Sequence, residues 1–193
     1  MQDNIILSGV GGQGILSIAA VLATGALSRG LFVKQSEVHG MSQRGGAVQS
    51  HIRISDKEIY SVLIPKGQAN AVIATEPMEA LRYAGFLRPD GWLITNSEPY
   101  LIPGYPDMEE LKQELSKIPN HLIFDATILA KKAGNKRAAN MVVLGAASPF
   151  LNIDEDALIE GIKTIFGTKG ERLVNLNIDA FNYGREVAME KIK

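Results

Sequence analysis

Ile5-Ile6-Leu7-Ser8-Gly9-Val10-Gly11-Gly12-Gln13-Gly14-Ile15-Leu16-Ser17-Ile18 is the stretch that decides the fold. The apolar run from Asn4 to Ser8 ends at a glycine, as a buried strand does. From Gln13 to Arg29 the chain is apolar on nearly every side, with Ile15, Ile18 and Leu22 at helical spacing. That order predicts a strand, a glycine turn and a buried helix. Gly30 stops the helix and Leu31 to Val38 reads as a second strand, so the first forty residues predict one right-handed βαβ unit with parallel strands.

Working outward, Val48, Ser50, Ile52 and Ile54 alternate with Gln49, His51 and Arg53, and a further run from Ile59 to Ile64 follows Asp56-Lys57. This pattern predicts a β-hairpin inserted after the second strand. Short strands are expected at Ala71 to Thr75, Trp92 to Thr95 and His121 to Asp125, separated by helices near Pro77 to Phe86 and Met108 to Ile118. Ser97 to Pro106, with three prolines, is the longest expected loop. Beyond Ala126 only helical patterns remain: Ala138 to Phe150, Asp154 to Phe166 with an N-cap in Asn152-Ile153-Asp154, and a last helix with Leu173, Leu176, Ala180, Gly184 and Val187 on one face. The expected fold is α/β, a three-layer Rossmann-like mixed sheet of six or seven strands, mostly parallel, with an inserted β-hairpin and a helical C-terminal third. No linker or repeat divides residues 1–193, which are read as one domain.

The composition narrows the chemistry. With 193 residues, 46% hydrophobic and 21% charged, the chain has the makeup of a folded globular domain. Twenty basic side chains against twenty-one acidic give a net charge of −1, so the electrostatic footprint of a nucleic-acid binder is missing. The sequence contains no cysteine, which removes disulfides, thiol nucleophiles and cysteine-held iron–sulfur clusters from this chain. No metal site is expected. Met1-Gln2-Asp3-Asn4 lacks a positive n-region, and the apolar stretch from Ile15 to Leu27 is short and interrupted by Ser17, Thr24 and Gly25; the expectation is a cytoplasmic protein that does not enter a membrane.

Two segments carry the functional signal. Gly9-Val10-Gly11-Gly12-Gln13-Gly14 matches G-x-G-x-x-G between a strand and a helix, a position where backbone N–H groups and the Gln13 amide can meet an anion. Glu37, 23 residues after Gly14 (37 − 14), falls where a dinucleotide fold carries its ribose-binding carboxylate. The competing reading is that these glycines only let the helix pack on the sheet while Glu37 pairs with Arg44. The second segment, Ser36-Glu37-Val38-His39-Gly40-Met41-Ser42-Gln43-Arg44-Gly45-Gly46, follows a predicted strand at the edge where open α/β sheets bind ligands. Arg44, beside Gln43 and the Gly45-Gly46 pair, suits a bidentate clamp for a carboxylate or phosphate; equally, it suits a solvated turn.

These segments resemble a family. Gly9 to Leu16, Ser36 to Gly46 and Leu63-Ile64-Pro65-Lys66-Gly67, with Glu76-Pro77, Glu79-Ala80-Leu81, Asp125-Ala126, Gly134-Asn135, Arg137 and Asn140, are similar to the gamma-type domain of 2-oxoacid:ferredoxin oxidoreductases. The form His39-Gly40-Met41-Ser42-Gln43-Arg44-Gly45-Gly46 most nearly resembles the indolepyruvate-type beta subunits; pyruvate and 2-oxoglutarate types usually carry Tyr-Gly-Pro or Tyr-Gly-Ala before Arg-Gly-Gly. The resemblance spans essentially the whole chain.

It implies a non-cluster subunit that works with a large catalytic partner. The partner would hold thiamine diphosphate, Mg and the iron–sulfur clusters and pass electrons to ferredoxin, with coenzyme A as co-substrate and acyl-CoA and CO2 as products. This chain lacks both cysteine and a Gly-Asp-Gly thiamine signature, so it would bind no cofactor firmly and be inactive alone. The binding residues implied for coenzyme A, substrate or another anion are Gly9, Gly11, Gly12, Gln13, Gly14, Glu37, His39, Gln43, Arg44, Gly45, Gly46 and Asn140. The alternatives are a free-standing NAD-dependent oxidoreductase and a non-catalytic nucleotide-binding module.

Overall fold

The structure is a computed structural model that describes residues 1–40 and 45–192. Six strands form one sheet in the order β2-β3-β1-β4-β5-β6: β1 (Gln2–Val10), β2 (Phe32–His39), β3 (Ala47–Ser55), β4 (Ala69–Ala74), β5 (Leu87–Asn96) and β6 (His121–Phe124). β1, β4, β5 and β6 pair in parallel, whereas β3 lies antiparallel to both β1 and β2. Burial explains the composition of the central strands. Ile5, Ile6 and Leu7 of β1, and every residue of β4, are buried because helices cover both faces.

One face carries α1 (Ile15–Ser28), α4 (Ala126–Lys132), α5 (Ala139–Ala147), α6 (Glu155–Gly167) and α7 (Glu171–Ile192) over the main core. The other carries α2 (Pro77–Tyr83) and α3 (Met108–Ser116) over Ala74 and Leu93. Helix α5 is buried from Asn140 to Ala147, eight of its nine residues, which is why its sequence shows no polar face. Asp154 caps α6 by accepting from the Ala157 N–H at 2.8 Å, within the expected N-cap region.

Three expectations need correction. The hairpin consists of β2 and β3, and Ile59–Ile64 forms no strand. Only Ile59 and Ile64 of that run are buried, so it lacks the two-residue period of a strand. The segment is held over β3 instead, by the Ile64 N–H on His51 Nδ1 at 3.0 Å and by Arg53 on the Ser61 carbonyl at 2.8 Å. The βαβ unit is also modified: β2 runs parallel to β1 but β3 lies between them. In α7 the buried line is Val174, Asn177, Ala180, Phe181, Gly184 and Ala188. Leu173, Leu176 and Val187 flank it, because the helix is rotated to bring Gly184 against α5.

Candidate functional site

The site forms where the chain leaves adjacent strands in opposite directions. From β1 the chain enters α1 on one face, and from β4 it enters α2 on the other. The connections that leave the C-terminal ends of β1 and β4 therefore diverge, opening the crevice in which α/β sheets bind ligands. Gly12 stands between two cavities there.

The glycine turn is built by contacts to its surroundings. A side chain at Gly9 would place Cβ 2.1 Å from Thr75 Oγ1, so glycine is what lets β4 end beside β1. Gly14 caps α1 in the left-handed conformation, φ 82°, and its carbonyl accepts from Asn140 Nδ2 at 3.1 Å. The Gln13 side chain folds inward: its Oε1 accepts from the Val10 N–H at 2.8 Å and from Thr75 Oγ1 at 2.9 Å. Gly11 N–H donates to the Gly46 carbonyl at 2.8 Å, and Gly45 N–H reaches back to the Gly11 carbonyl at 3.4 Å. The two segments singled out in the sequence are thus joined through their backbones. Gly11 and Gln13 spend their N–H groups on this folding, and Ser17 and Ile18 donate to the Gly14 carbonyl, so the N–H groups of Ile15 and Leu16 are the donor end of the loop.

One cavity, of about 590 Å³, is lined mainly by apolar groups of Val10, Ile15, Leu16 and Val48, with Gly12, Gly14, His39 and Gly40. The other, about 390 Å³, lies over the switch point and is polar. Gln13, Thr75, Asn96 and Asn140 form its floor, and Lys136 and Arg137 stand at its rim with Glu98 and Thr127. Asn96 Oδ1 accepts from the Ala126 N–H at 3.0 Å, tying the floor to α4. The Thr127 hydroxyl donates to Glu98.

Behind this crevice lies an anchor. Glu76 is fully buried as the N-cap of α2, accepting from the Glu79 N–H at 2.8 Å, the Tyr100 N–H at 3.3 Å and the Tyr105 hydroxyl. Burial, and then the adjacent carboxylate, push the Tyr105 phenol well above its ordinary value. Burial also raises the Glu79 carboxyl, against the opposing pull of Arg82. The loop following Asn96 is therefore pinned at both tyrosines.

Of the residues named from sequence, Gly9, Gly11, Gly12, Gln13, Gly14, Gly45, Gly46 and Asn140 come together around the crevice, and His39 joins Gly11, Gly12 and Gly14 in the lining of the larger cavity. Gln43 and Arg44 lie outside the described residues. Glu37 and His39 lie on β2, separated from β1 by β3. At about 4.8 Å per strand, β2 is roughly 10 Å from the strand that carries the glycine turn, and Glu37 instead meets His39 at 3.3 Å and Gln35 at 3.3 Å. A ribose carboxylate in a dinucleotide site needs the neighbouring strand; here β3 occupies it. Sequence reading passed over Thr75, Asn96, Glu98, Thr127 and Lys136. The usable signal was their place at or just beyond the C-terminal ends of parallel strands and at the start of the helices that follow.

Comparison with known proteins accords with this geometry. Residues 4–187 match the family model for pyruvate ferredoxin/flavodoxin oxidoreductase. The chain belongs to that family. It is 37% identical over 202 residues to the indolepyruvate oxidoreductase subunit IorB of Pyrococcus horikoshii, covering 99% of this chain and 98% of that one. The 2-oxoglutarate synthase subunit KorC of Methanothermobacter marburgensis is 32% identical, with 98% of each chain covered. Among solved structures, the gamma subunit of a keto/oxoacid ferredoxin oxidoreductase from Geobacter sulfurreducens superposes with a TM-score of 0.72 at 27% identity, over 97% of this chain and 99% of that one. This pyruvate ferredoxin/flavodoxin oxidoreductase family member therefore has the gamma-type fold, with β3 inserted between the parallel strands, and its relatives are subunits of 2-oxoacid oxidoreductases.

Proposed function

We propose that this chain is the cluster-free subunit of a thiamine-diphosphate-dependent indolepyruvate:ferredoxin oxidoreductase, a single gamma-type domain acting in the cytoplasm. The enzyme would convert an aryl 2-oxo acid, coenzyme A and oxidised ferredoxin to an acyl-CoA, CO2 and reduced ferredoxin. The observation that carries this reading is the end-to-end similarity, at 37% identity, to an indolepyruvate oxidoreductase subunit; the His39-to-Gly46 segment agrees with it. Thiamine diphosphate, Mg and the clusters belong in this scheme to the large partner, since this sequence has no cysteine for cluster ligation. The experiment is reconstitution. This chain with its thiamine-bearing partner should reduce ferredoxin with indolepyruvate in preference to 2-oxoglutarate, and neither chain alone should turn over. Activity of this chain by itself, or preference for 2-oxoglutarate, would refute the assignment.

Within that complex, the role we assign to this chain is to hold the anionic part of coenzyme A, at the crevice over Gly12 and Asn140 and at Arg44. Support comes from the chemistry of the donor set. Lys136 and Arg137 bring two cations to a polar floor of Thr75, Asn96 and Asn140, and the apolar cavity across Gly12 offers room for an uncharged arm. Arg137→Gln should weaken coenzyme A binding to the complex by on the order of tenfold, the scale of one charge-assisted contact. Arg44→Lys keeps the charge and loses the planar fork, so a clamp at Arg44 predicts a fall of similar size in kcat/KM for coenzyme A. Unchanged constants in both variants would remove this chain from the binding site.

A further inference from the structure

Strand β2, Phe32-Val33-Lys34-Gln35-Ser36-Glu37-Val38-His39, ends the sheet, and among the described residues nothing pairs with its outer side. No residue of β2 is buried, and Phe32 and Val38 are 48% and 55% exposed. Its register against β3 runs unbroken from Phe32↔Ser55 to His39↔Val48, and Gly40 N–H donates to the Ala47 carbonyl at 2.9 Å. Antiparallel pairs alternate in hydrogen bonding, so the even-numbered residues face β3 and the backbone groups of Val33, Gln35 and Glu37 point outward. The edge has no proline or bulge and one lysine, Lys34, whereas free edges are ordinarily blunted.

A second surface adjoins this edge. Helix α1 contains no charged residue in its fourteen positions. Its sheet side is Ile15, Ile18, Ala19, Leu22 and Ala26, and Val21 and Gly25 pack against α6, where a Cβ on Gly25 would come within 2.5 Å of the Ala157 carbonyl. At 100° per residue, Leu16, Ala20, Ala23 and Leu27 share the side opposite α6. Because α6 also touches α7, which packs on α5, α6 is the inner neighbour and this stripe looks over the β2 edge. Leu16 and Leu27 are 43% and 61% exposed, with Ala20 and Ala23 half-buried between them.

We propose that this face joins two copies of the chain, β2 antiparallel to β2 and α1 antiparallel to α1 about one two-fold axis. The sequence of the edge selects the register. Residues opposite each other across a two-fold share a face, so the axis must pass through one residue. Centring on Lys34 or Glu37 sets like charges directly opposite, which is unfavourable. Centring on Ser36 puts Lys34 against Val38 and Phe32 against Gly40. Centring on Gln35 pairs Phe32 with Val38 twice, Lys34 with Ser36, and Gln35 with its own copy, while the outward groups of Val33 and Glu37 exchange hydrogen bonds. The same axis lays Leu16 near Leu27 of the other helix across the small alanines. An isologous patch of this kind closes on itself and leaves no free edge. A second copy fits better than a foreign strand because the edge and the helix stripe are each self-complementary about a shared axis.

The inference does not depend on the proposed reaction, and the test uses the full chain alone. Light scattering at micromolar concentration should give twice the 20.9 kDa of one chain. Hydrogen exchange should show Val33, Gln35 and Glu37 amides protected, with protection lost on dilution, while Lys34, Ser36 and Val38 stay protected throughout. Gln35→Pro, which removes an outward N–H, and Leu27→Lys, which charges the stripe, should each raise the dimer dissociation constant by at least about tenfold with an unchanged circular dichroism spectrum. A mass of one chain at every concentration overturns the proposal. So does a dimer indifferent to both variants, or protection of those three amides only when the catalytic partner is added.

Discussion

Gly14 illustrates how one residue serves cap, turn and contact together. Its φ of 82° is left-handed, and a Cβ would lie 2.4 Å from Asn140 Nδ2. Gly14→Ala should therefore cost about 2–4 kcal/mol in guanidinium unfolding, from the backbone penalty and the clash together. Asn140→Ala should cost nearer ~1 kcal/mol, since the Gly14 carbonyl keeps the N–H groups of Ser17 and Ile18. His51 carries a pH dependence. Burial lowers its pKa, and its Nδ1 must be unprotonated to accept from Ile64. Below the ordinary histidine value of about 6.5 the unfolded chain takes up a proton that the folded chain resists, so stability is lost as pH falls through that range. Denaturation midpoints at pH 7.5 and 5.5 should separate for the wild type, and the gap should narrow in His51→Asn. Glu76 was visible in the sequence only as part of a family match, yet a Glu before Pro77 with Glu79 three residues on is an N-cap pattern. Tyr105→Phe should leave that carboxylate a partner short, at about 1–3 kcal/mol, and speed proteolysis between Ser97 and Pro106.

Helices α5 and α7 cross more closely than their sequences announce. A Cβ on Gly145 would come within 1.9 Å of the Phe181 carbonyl, and one on Gly184 within 1.9 Å of the Val142 carbonyl. Backbone meets backbone at both points, so no side-chain rotation can relieve an added methyl group. Gly184→Ala should destabilise the protein by about 1–3 kcal/mol or more, read as a lowered thermal midpoint. Gly85→Ala, with open space around it, is the matching control and should be near neutral. The spacing of Ala180 and Gly184 was legible as a helix face, but the rotation that buries Val174 and Phe181 and leaves Leu173 at the margin was set by this crossing. Periodicity locates a helix face to within a residue or so; the small residues of the neighbouring helix decide which line is innermost. Helix α4 escaped notice for a related reason. Seven residues capped by Asp125 at 2.8 Å are too few for a period to register.

For the molecule as a whole, the order of strands carries the functional consequence. Placing β3 between β1 and β2 keeps the parallel sense of a nucleotide-binding sheet while moving Glu37 and His39 to the rim. It also brings Gly45 and Gly46 back onto Gly11. The glycine turn is thereby closed by Gly45 and Gly46, and the polar crevice opens on its other side, toward Asn96 and Arg137. The amino-acid sequence by itself determined the elements and their class: a buried strand, a charge-free helix after a glycine turn, alternating residues in β3, and a helical end. These follow from local periodicity and from side chains that have no other way to leave water. It also determined the family, through motifs that remain contiguous in the chain, and excluded thiolate chemistry by containing no cysteine. Only the tertiary structure decided which strand is neighbour to which, because pairing partners are chosen by loop closure and by burial of both faces rather than by local pattern. That choice separated Glu37 from Gly14, assembled Gln13, Thr75, Asn96 and Asn140 from four distant stretches of chain, and left β2 as an edge; each is a relation between residues far apart in sequence, which no local period encodes.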